Sequence, residues 1–166
     1  MLGLLLSSLA MNARSDGDYD SARRLAEESL ALRRKRGTDW AVARSLILVG
    51  HIALDVAEPE VALQAFREAL TIVRRVGDRR GLAESLAGLA RYSKEPATAM
   101  RLAAAADVLL EAAGAQYRDP LLVATDDHVR ELRAQLGPRA AAIEAEARAM
   151  SLDDAMVLAQ ETAGLC

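Results

Sequence analysis

The sequence is poor in cysteine and in aromatic residues. Its single cysteine, Cys166, is the last of 166 residues, so a disulfide framework and a set of thiolate metal ligands are both excluded. We therefore expect a reducing compartment, the cytoplasm. One tryptophan, one phenylalanine and three tyrosines stand against 35 alanines. A core of alanine and leucine with so few large side chains favours closely packed helices over a sheet.

The charge and hydropathy of the chain exclude further classes of protein. A net charge of -3 gives no general reason to expect nucleic acid as a partner. The apolar N-terminal run MLGLLLSSLAMNA is too short to span a bilayer, so we expect no membrane association. It also has no basic residue before the apolar run, as a signal peptide would. Leucines recur in it at helical spacing, which favours an amphipathic helix: Leu2, Leu5, Leu6 and Leu9.

The segment that follows this run is repeated along the chain. GDYDSARRLAEESLALRRKRG, residues 17–37, aligns with AEPEVALQAFREALTIVRRVG when it is moved forward by 40 residues. A third copy, KEPATAMRLAAAADVLLEAAG, ends at Gly114, and its offset from the second copy is 37 residues. The first two copies match at small, apolar and turn positions: Ala22 with Ala62, Leu30 with Leu70, and Gly37 with Gly77.

The pattern of each copy predicts the second helix of an antiparallel helix pair. Helix periodicity, turn residues and caps predict repeats over about 1–37, 38–77 and 78–114. The predicted helices run over about 2–14 and 18–35, 39–56 and 60–75, and 79–93 and 97–113. A short helix pair cannot bury its apolar stripe alone, whereas stacked pairs share a continuous core. The fold class predicted is an all-α superhelical solenoid of about three repeats.

Residues 115–166 do not continue the repeat. Asp119-Pro120 predicts the start of a helical segment that runs to about Leu136, and a second helix follows over 139–149. Ser151 and Asp154 have the spacing of an N-terminal capping arrangement for a third helix. Solenoids need an atypical polar cover at their ends, so we interpret this segment as a C-terminal helical cap.

The helix pairs resemble the tetratricopeptide repeat family. That pattern has a small residue in the first helix, and alanine, a bulky apolar residue and alanine in the second. The second unit matches with Gly50, Ala62, Phe66 and Ala69. The other two units depart at the bulky position, the signature tryptophan and tyrosine are absent from the first helices, and the units exceed the usual length. Segments of residues 101–115 and 132–161 also resemble the closing part of large actinobacterial ATPase and transcriptional regulators, although Ile143 and Ala147-Arg148 replace the expected aromatic and Gly-Arg pair.

This resemblance implies a non-enzymatic module that binds a protein or peptide in a concave groove lined by the first helix of each pair. Arginines at successive repeats with apolar residues between them suit an extended peptide that carries an acidic group. An alternative of equal weight is that these residues are ordinary solvent-exposed positions with no role in binding. The residues that this mapping assigns to the groove are Ser7, Met11, Arg14, Arg44, Ile47, His51, Leu54, Glu84, Ala87 and Arg91.

The sequence carries no motif for catalysis, metal binding or cofactor binding. The sequence contains no phosphate-binding glycine loop with Lys-Ser/Thr, no His-Glu-x-x-His and no Cys-x-x-Cys, so we expect neither a cofactor nor a metal nor catalysis. Asp126, Asp127 and His128 are adjacent on a predicted helix and do not face one another. Cys166 has no catalytic partner that can be placed.

Two further interpretations concern partners. The basic residues 33–36 and Arg74-Arg75 are explained by the favourable position of cations at helix C-termini, and a basic ridge that includes Arg79-Arg80 and binds an acidic partner is the weaker alternative. A small-molecule pocket between the third repeat and the C-terminal helices is the main alternative to peptide binding. Because the first helix has more leucines than one buried stripe needs, we also predict a homodimer contact through Leu2, Leu4 and Met11.

Overall fold

The computed structural model describes residues 2–112 and 120–165, with only the backbone of Pro120 included. In this part of the chain all regular structure is helical and no strand is present. Gly114, Asp119 and Cys166, which the sequence interpretation used, lie outside the described residues. The α-helices are α1 (Leu2–Ser15), α2 (Tyr19–Arg36), α3 (Asp39–Asp55), α4 (Pro59–Val76), α5 (Arg79–Tyr92), α6 (Pro96–Ala112), α7 (Val123–Leu136), α8 (Arg139–Arg148) and α9 (Leu152–Thr162).

Local signals set the helix ends. The side chains of Asp18, Thr38 and Asp78 each accept a hydrogen bond from a backbone N–H of the first turn that follows. Gly77 ends α4 with a φ of 71°, a left-handed conformation that glycine adopts without steric cost. The predicted Ser151–Asp154 arrangement is a complete capping box, in which each side chain accepts from the other residue's backbone N–H.

Six helices form three antiparallel pairs that stack side by side, so the predicted all-α repeat solenoid is confirmed. Of the first helices of the pairs, α3 contacts both α1 and α5, so the three form one layer, and α2, α4 and α6 form the other. Alanines without exposed surface lie where the helices approach closely: Ala22, Ala62, Ala69 and Ala99. The ring of Phe66 is also fully buried and packs close to the Cα positions of Gly50 and Gly88.

The C-terminal helices do not form a fourth pair of the same kind. A 3-10 turn, Pro120–Leu122, contacts α1 and α5, and α7 continues from it along α5 and α6. In contrast to the pairs before it, α8 packs mainly against α6 and little against α7. Helix α9 returns to α4, α5 and α6, where Arg67 Nε donates a hydrogen bond to the carbonyl of Ala163.

One helix buries a different face from the one that its leucines suggest. In α1 the buried residues are Gly3, Leu6, Ala10 and Arg14, while Leu2, Leu5 and Leu9 are exposed. Small residues are buried here because α2 approaches α1 closely: the carbonyl of Gly3 accepts from Ser29 Oγ at 2.7 Å. Of the stripe read from the sequence, only Leu6 enters the core.

Candidate partner-binding groove

The first helices of the three pairs carry two ion clusters on the concave face of the solenoid. In the first cluster, Asp55 of α3 lies between Arg14 of α1 and Arg91 of α5. Its Oδ2 accepts from Arg14 Nε at 2.5 Å and its Oδ1 from Arg91 Nη2 at 2.7 Å. All three side chains are nearly buried. One carboxylate therefore joins the first helices of all three repeats.

The second cluster repeats this arrangement nearer to the other end of the same helices. Glu84 of α5, whose carboxylate is buried, pairs with Arg44 of α3 and with Arg80, one turn before it on α5. Arg80 Nε lies 2.9 Å from Glu84 Oε1. Arg80 is more than half exposed and Arg44 is partly exposed, so both guanidinium groups border solvent.

His51 lies between the two clusters and is fully buried. Its Nε2 lies 2.9 Å from the backbone carbonyl of Glu84, and since a carbonyl only accepts, Nε2 is the protonated nitrogen. The ring also makes an edge contact with Phe66, with 5.5 Å between the ring centroids. Burial, with a smaller contribution from the positive charges of Arg91 and Arg14, lowers the pKa of His51 to about 3. The imidazole is therefore neutral at physiological pH.

The 3-10 turn lies over the part of the concave face that holds the first cluster, and α7 continues from it against α5 and α6. Arg14 Nη1 donates to the carbonyl of Leu121 at 3.3 Å. Further along, the hydroxyl of Thr125 donates to the carbonyl of Ala87, and His128 Nε2 lies 3.2 Å from that of Ala90. Leu121 and Leu122 are buried beneath this contact. We call this part the covered groove, with Arg14, Asp55, Ala87, Ala90 and Arg91 as its floor.

The other part of the concave face is open. It forms a cleft of about 290 Å³. Leu4 and Trp40, which are 64% and 53% exposed, line it together with the guanidinium groups of Arg44 and Arg80. We call it the open groove, and its full lining is Leu4, Ser7, Met11, Arg33, Trp40, Arg44, Leu48, Asp78, Arg80 and Leu121.

The predicted groove residues divide between these regions and the core. Met11 and Arg44 line the open groove, and Arg14 and Arg91 lie in the covered groove. Ile47, His51 and Glu84 have no exposed surface, so in this conformation none of the three can touch a partner. The carboxylates that face the predicted arginines belong to this chain, at Asp55 and Glu84. A role of these residues in binding stays a prediction.

Sequence reasoning missed Asp55 and Trp40, and it considered Arg80 only as part of a basic ridge and not of the groove. Asp55 is one helical turn after His51, and Trp40 is one turn before Arg44, so helical spacing from the predicted residues would have found both. No comparable spacing in the sequence predicts the hydrogen bond between Arg14 and the carbonyl of Leu121, because the two residues are 107 positions apart.

The predicted self-association residues lie on two different faces of α1. Leu4 and Met11 line the open groove. Leu2 falls by helical spacing with Leu5 and Leu9, which are 55% and 43% exposed, and it also lines a second cleft with Leu4 and Trp40. This second face, Leu2, Leu5 and Leu9, is called the end face below.

A larger cleft lies between the α4–α5 turn and α9, with a volume of about 530 Å³. Its walls are apolar at Val73, Leu82 and Met156, and they carry Arg74 and Arg79 at the side of the turn.

In residues 2–112 and 120–165 no group of acidic, histidine or cysteine side chains could hold a metal ion. Asp127 pairs with Arg130, and His128 bonds to Ala90, so the adjacent acidic and histidine residues do not converge.

The fold and groove together define a helical repeat solenoid of the class that presents a concave surface to other molecules. Residues 2–75, which include α1 to α3 and nearly all of α4, match the family model of the tetratricopeptide repeat. Helices α5 and α6 lie outside the matched residues and continue the same packing. No curated protein matches the chain. Among the described helices, none has both the length and the apolar character needed to cross a membrane.

Proposed function

We propose that this chain is a module that binds a protein or peptide in the open groove. The observation that carries the proposal is the exposure of Trp40 and Leu4 in the same cleft as Arg44 and Arg80. Large apolar side chains in a concave surface lose contact with water when a partner binds, and tryptophan and arginine are enriched among the residues that dominate such interfaces. Tetratricopeptide repeats, to which residues 2–75 are similar, are generally protein-interaction modules.

The charges of the open groove favour a partner with an acidic group. Arg44 and Arg80 both pair with Glu84, and among the charged side chains of the lining Arg33, Arg44 and Arg80 are basic and Asp78 is acidic. The lining therefore carries more basic than acidic side chains. A carboxylate at this point would bind the partly exposed guanidinium groups, which are well suited to bidentate contacts.

Peptide display on the full chain tests this proposal. We expect selected peptides to combine a large apolar residue with Asp or Glu, and to lose binding to Trp40→Ala and Arg80→Glu. Tyr19→Ala and Arg139→Glu alter an aromatic and a basic residue away from the open groove and serve as matched controls. Peptides that bind all four variants equally would contradict the proposal.

We also propose that the chain works without catalysis as the sensor or interaction end of a bacterial transcriptional or signalling regulator, in the cytoplasm. The support is the resemblance of residues 101–115 and 132–161 to the closing segments of such regulators. An antibody against this chain should detect in its native cell a polypeptide much larger than 17.8 kDa, or a chain of that mass that co-purifies with a DNA-binding protein. Detection of a chain of 17.8 kDa that co-purifies with no DNA-binding protein would contradict this proposal.

The cleft beside α9 supports a second candidate function, the sensing of a small molecule. Its volume of about 530 Å³ is in the range of ligand pockets, and apolar walls with a few charged groups are typical of them. A ligand that binds there should raise the melting temperature of the wild-type chain but not of Met156→Trp, which fills the cleft. A screen of metabolites in which every stabilising compound acts equally on both chains would exclude this site.

A further inference from the structure

The second cleft that Leu2 lines lies at the N-terminal edge of the solenoid, where α1 and α3 begin and α2 ends. Its volume of about 490 Å³ is in the range of small-molecule pockets. Three of its apolar residues are more than half exposed to solvent. We call it the edge cleft, with apolar walls at Leu2, Leu4, Leu32 and Trp40 and with Arg33 and Arg36 as its charged residues.

Arg33 is a buried cation that no carboxylate of the described residues neutralises. Its exposed fraction, 9%, equals that of Arg14, whose guanidinium group pairs with Asp55. Arg33 instead donates to two backbone carbonyls, from Nη1 to Ala41 at 2.9 Å and from Nη2 to Gly3 at 3.2 Å. A guanidinium group has more N–H donors than these two carbonyls accept. The edge cleft therefore holds a positive charge with further N–H groups available.

An unneutralised charge at this depth is unfavourable for the free protein. Burial lowers the pKa of Arg33, and the nearby positive charge of Arg44 lowers it as well. The residue still carries its proton at neutral pH, because the pKa of arginine is ordinarily above about 12. A buried charge without a partner of opposite sign destabilises a fold. An anion in the edge cleft would supply the missing opposite charge.

The charged residues of the edge cleft are all of one sign. Arg33 and Arg36 line it, and among the described residues no acidic side chain does. In contrast, the open groove includes Asp78, and the cleft beside α9 includes both Asp78 and Asp153. Of these three clefts, the edge cleft is thus the one whose lining is purely basic.

The rest of the basic ridge is already neutralised in part by this chain. Arg34, next to Arg33 in α2, pairs with Glu68, and Arg75 pairs with Asp39. The ridge that the sequence suggested is therefore divided, and two members of its first run, Arg33 and the exposed Arg36, line the edge cleft.

We infer that the edge cleft binds a small organic acid. Its carboxylate pairs with Arg33 and Arg36, because the fork of N–H donors on a guanidinium group matches the two oxygens of a carboxylate. Its aliphatic or aromatic body lies against the apolar walls, and the burial of this surface favours such an acid over an inorganic anion. The inference is independent of the proposed function, since Arg44 and Arg80 of the open groove do not line the edge cleft.

The fluorescence of Trp40 measures binding, because Trp40 lines the cleft and is the only tryptophan of the chain. The probe is octanoate, with octanamide as its neutral counterpart and inorganic phosphate as an anion without an apolar body. We expect octanoate to change the emission of the full chain in a saturable way. Its affinity should exceed that of octanamide and of phosphate at least about tenfold, a difference of about 1.4 kcal/mol.

Two pairs of variants locate the site. Arg33→Gln should weaken octanoate binding at least about tenfold, since a hydrogen bond to a charged group is lost with the charge itself. Arg34→Gln removes the same charge from the same helical turn outside the lining and should bind like the wild type. If Arg33→Gln does not fold, Leu2→Glu decides, because it places a carboxylate on a wall residue that is 57% exposed. Leu5→Glu, at a residue that is 55% exposed and outside the lining, is its control.

Several results would overturn the inference. Octanamide or phosphate that binds as tightly as octanoate would contradict an apolar acid as the ligand. Octanoate that binds Leu2→Glu and Leu5→Glu equally, or that causes no saturable change in emission, would contradict the site. Loss of octanoate binding in Arg80→Gln, which alters the open groove, would move the acid to that groove. Display peptides that are insensitive to Arg80→Glu would count only against the open groove and not against the edge cleft.

Discussion

The ring of Phe66 occupies the space that a side chain at Gly88 would need. A Cβ atom built on Gly88 would collide with the Cζ atom of this ring, and one built on Gly50 would lie 2.7 Å from its Cε1. Phe66 belongs to α4, whereas the two glycines belong to α3 and α5. The only phenylalanine of the chain thus joins the second and third repeats by close approach to two helix backbones.

Substitution of Gly88 by alanine should destabilise the protein. In an ordinary helix interior this change stabilises by about 0.5–1 kcal/mol, because alanine loses less conformational entropy. Here the added methyl group would displace the fully buried ring of Phe66, and overpacking of this kind costs about 1–3 kcal/mol. Urea denaturation measures the difference. In a Phe66→Leu background the same substitution should be less harmful, and an equal loss in both backgrounds would disprove the contact.

Acid should destabilise the chain through His51. Its pKa is about 3 in the folded protein and 6.5 ordinarily, so between these values the unfolded chain binds a proton that the folded chain does not. The free energy of unfolding therefore falls as the pH decreases below about 6.5, by up to about 1.4 kcal/mol per pH unit. Above that range the residue is neutral in both states and has no effect.

The variant His51→Gln keeps a side-chain N–H that can reach the carbonyl of Glu84 and removes the titrating group. We expect the loss of stability between about pH 6.5 and pH 5 to be smaller in this variant by roughly 2 kcal/mol, as measured by urea denaturation at both values. Equal losses in the two proteins would show that His51 is accessible to protons in the folded state.

Removal of the charge on Asp55 should be much more costly than removal of an exposed carboxylate. Asp55→Asn removes the buried carboxylate that pairs with both Arg14 and Arg91, and breaking a buried ion pair costs about 3–5 kcal/mol. Asp39→Asn is the matched control, since Asp39 pairs with Arg75 at the surface and such pairs contribute about 0–1 kcal/mol. Thermal denaturation of both variants tests this, and comparable losses would contradict the role of Asp55.

The end face of α1 is the part of the predicted homodimer contact that can be tested apart from the open groove. We expect Leu5→Glu/Leu9→Glu to reduce self-association in sedimentation, because an exposed row of leucines would otherwise remain in contact with water. Leu4→Glu changes the part of the predicted contact that lies at the open groove and should also reduce self-association. A wild-type chain that is monomeric at high concentration would contradict the dimer, and a larger effect of Leu4→Glu would move the contact to the open groove.

The sequence by itself determined the helices and their repetition. The predicted helix over about 60–75 is Pro59–Val76 in the structure, and the Ser151–Asp154 box begins α9 as expected. These features depend on caps, turn residues and helical periodicity, which act between residues a few positions apart. The 40-residue offset also aligned Ala22 with Ala62, and both are fully buried.

Only the tertiary structure decided which residues of the concave face meet solvent. Arg14 was expected to bind a partner, yet its guanidinium group pairs with Asp55, 41 residues away, and with the carbonyl of Leu121, 107 residues away. No local pattern specifies such contacts, because the same arginine at the same helical position is exposed or buried according to what folds over it. The position of residues 120–136 against α1, α5 and α6 was decided by long-range packing of apolar side chains, which short-range spacing in the sequence does not specify.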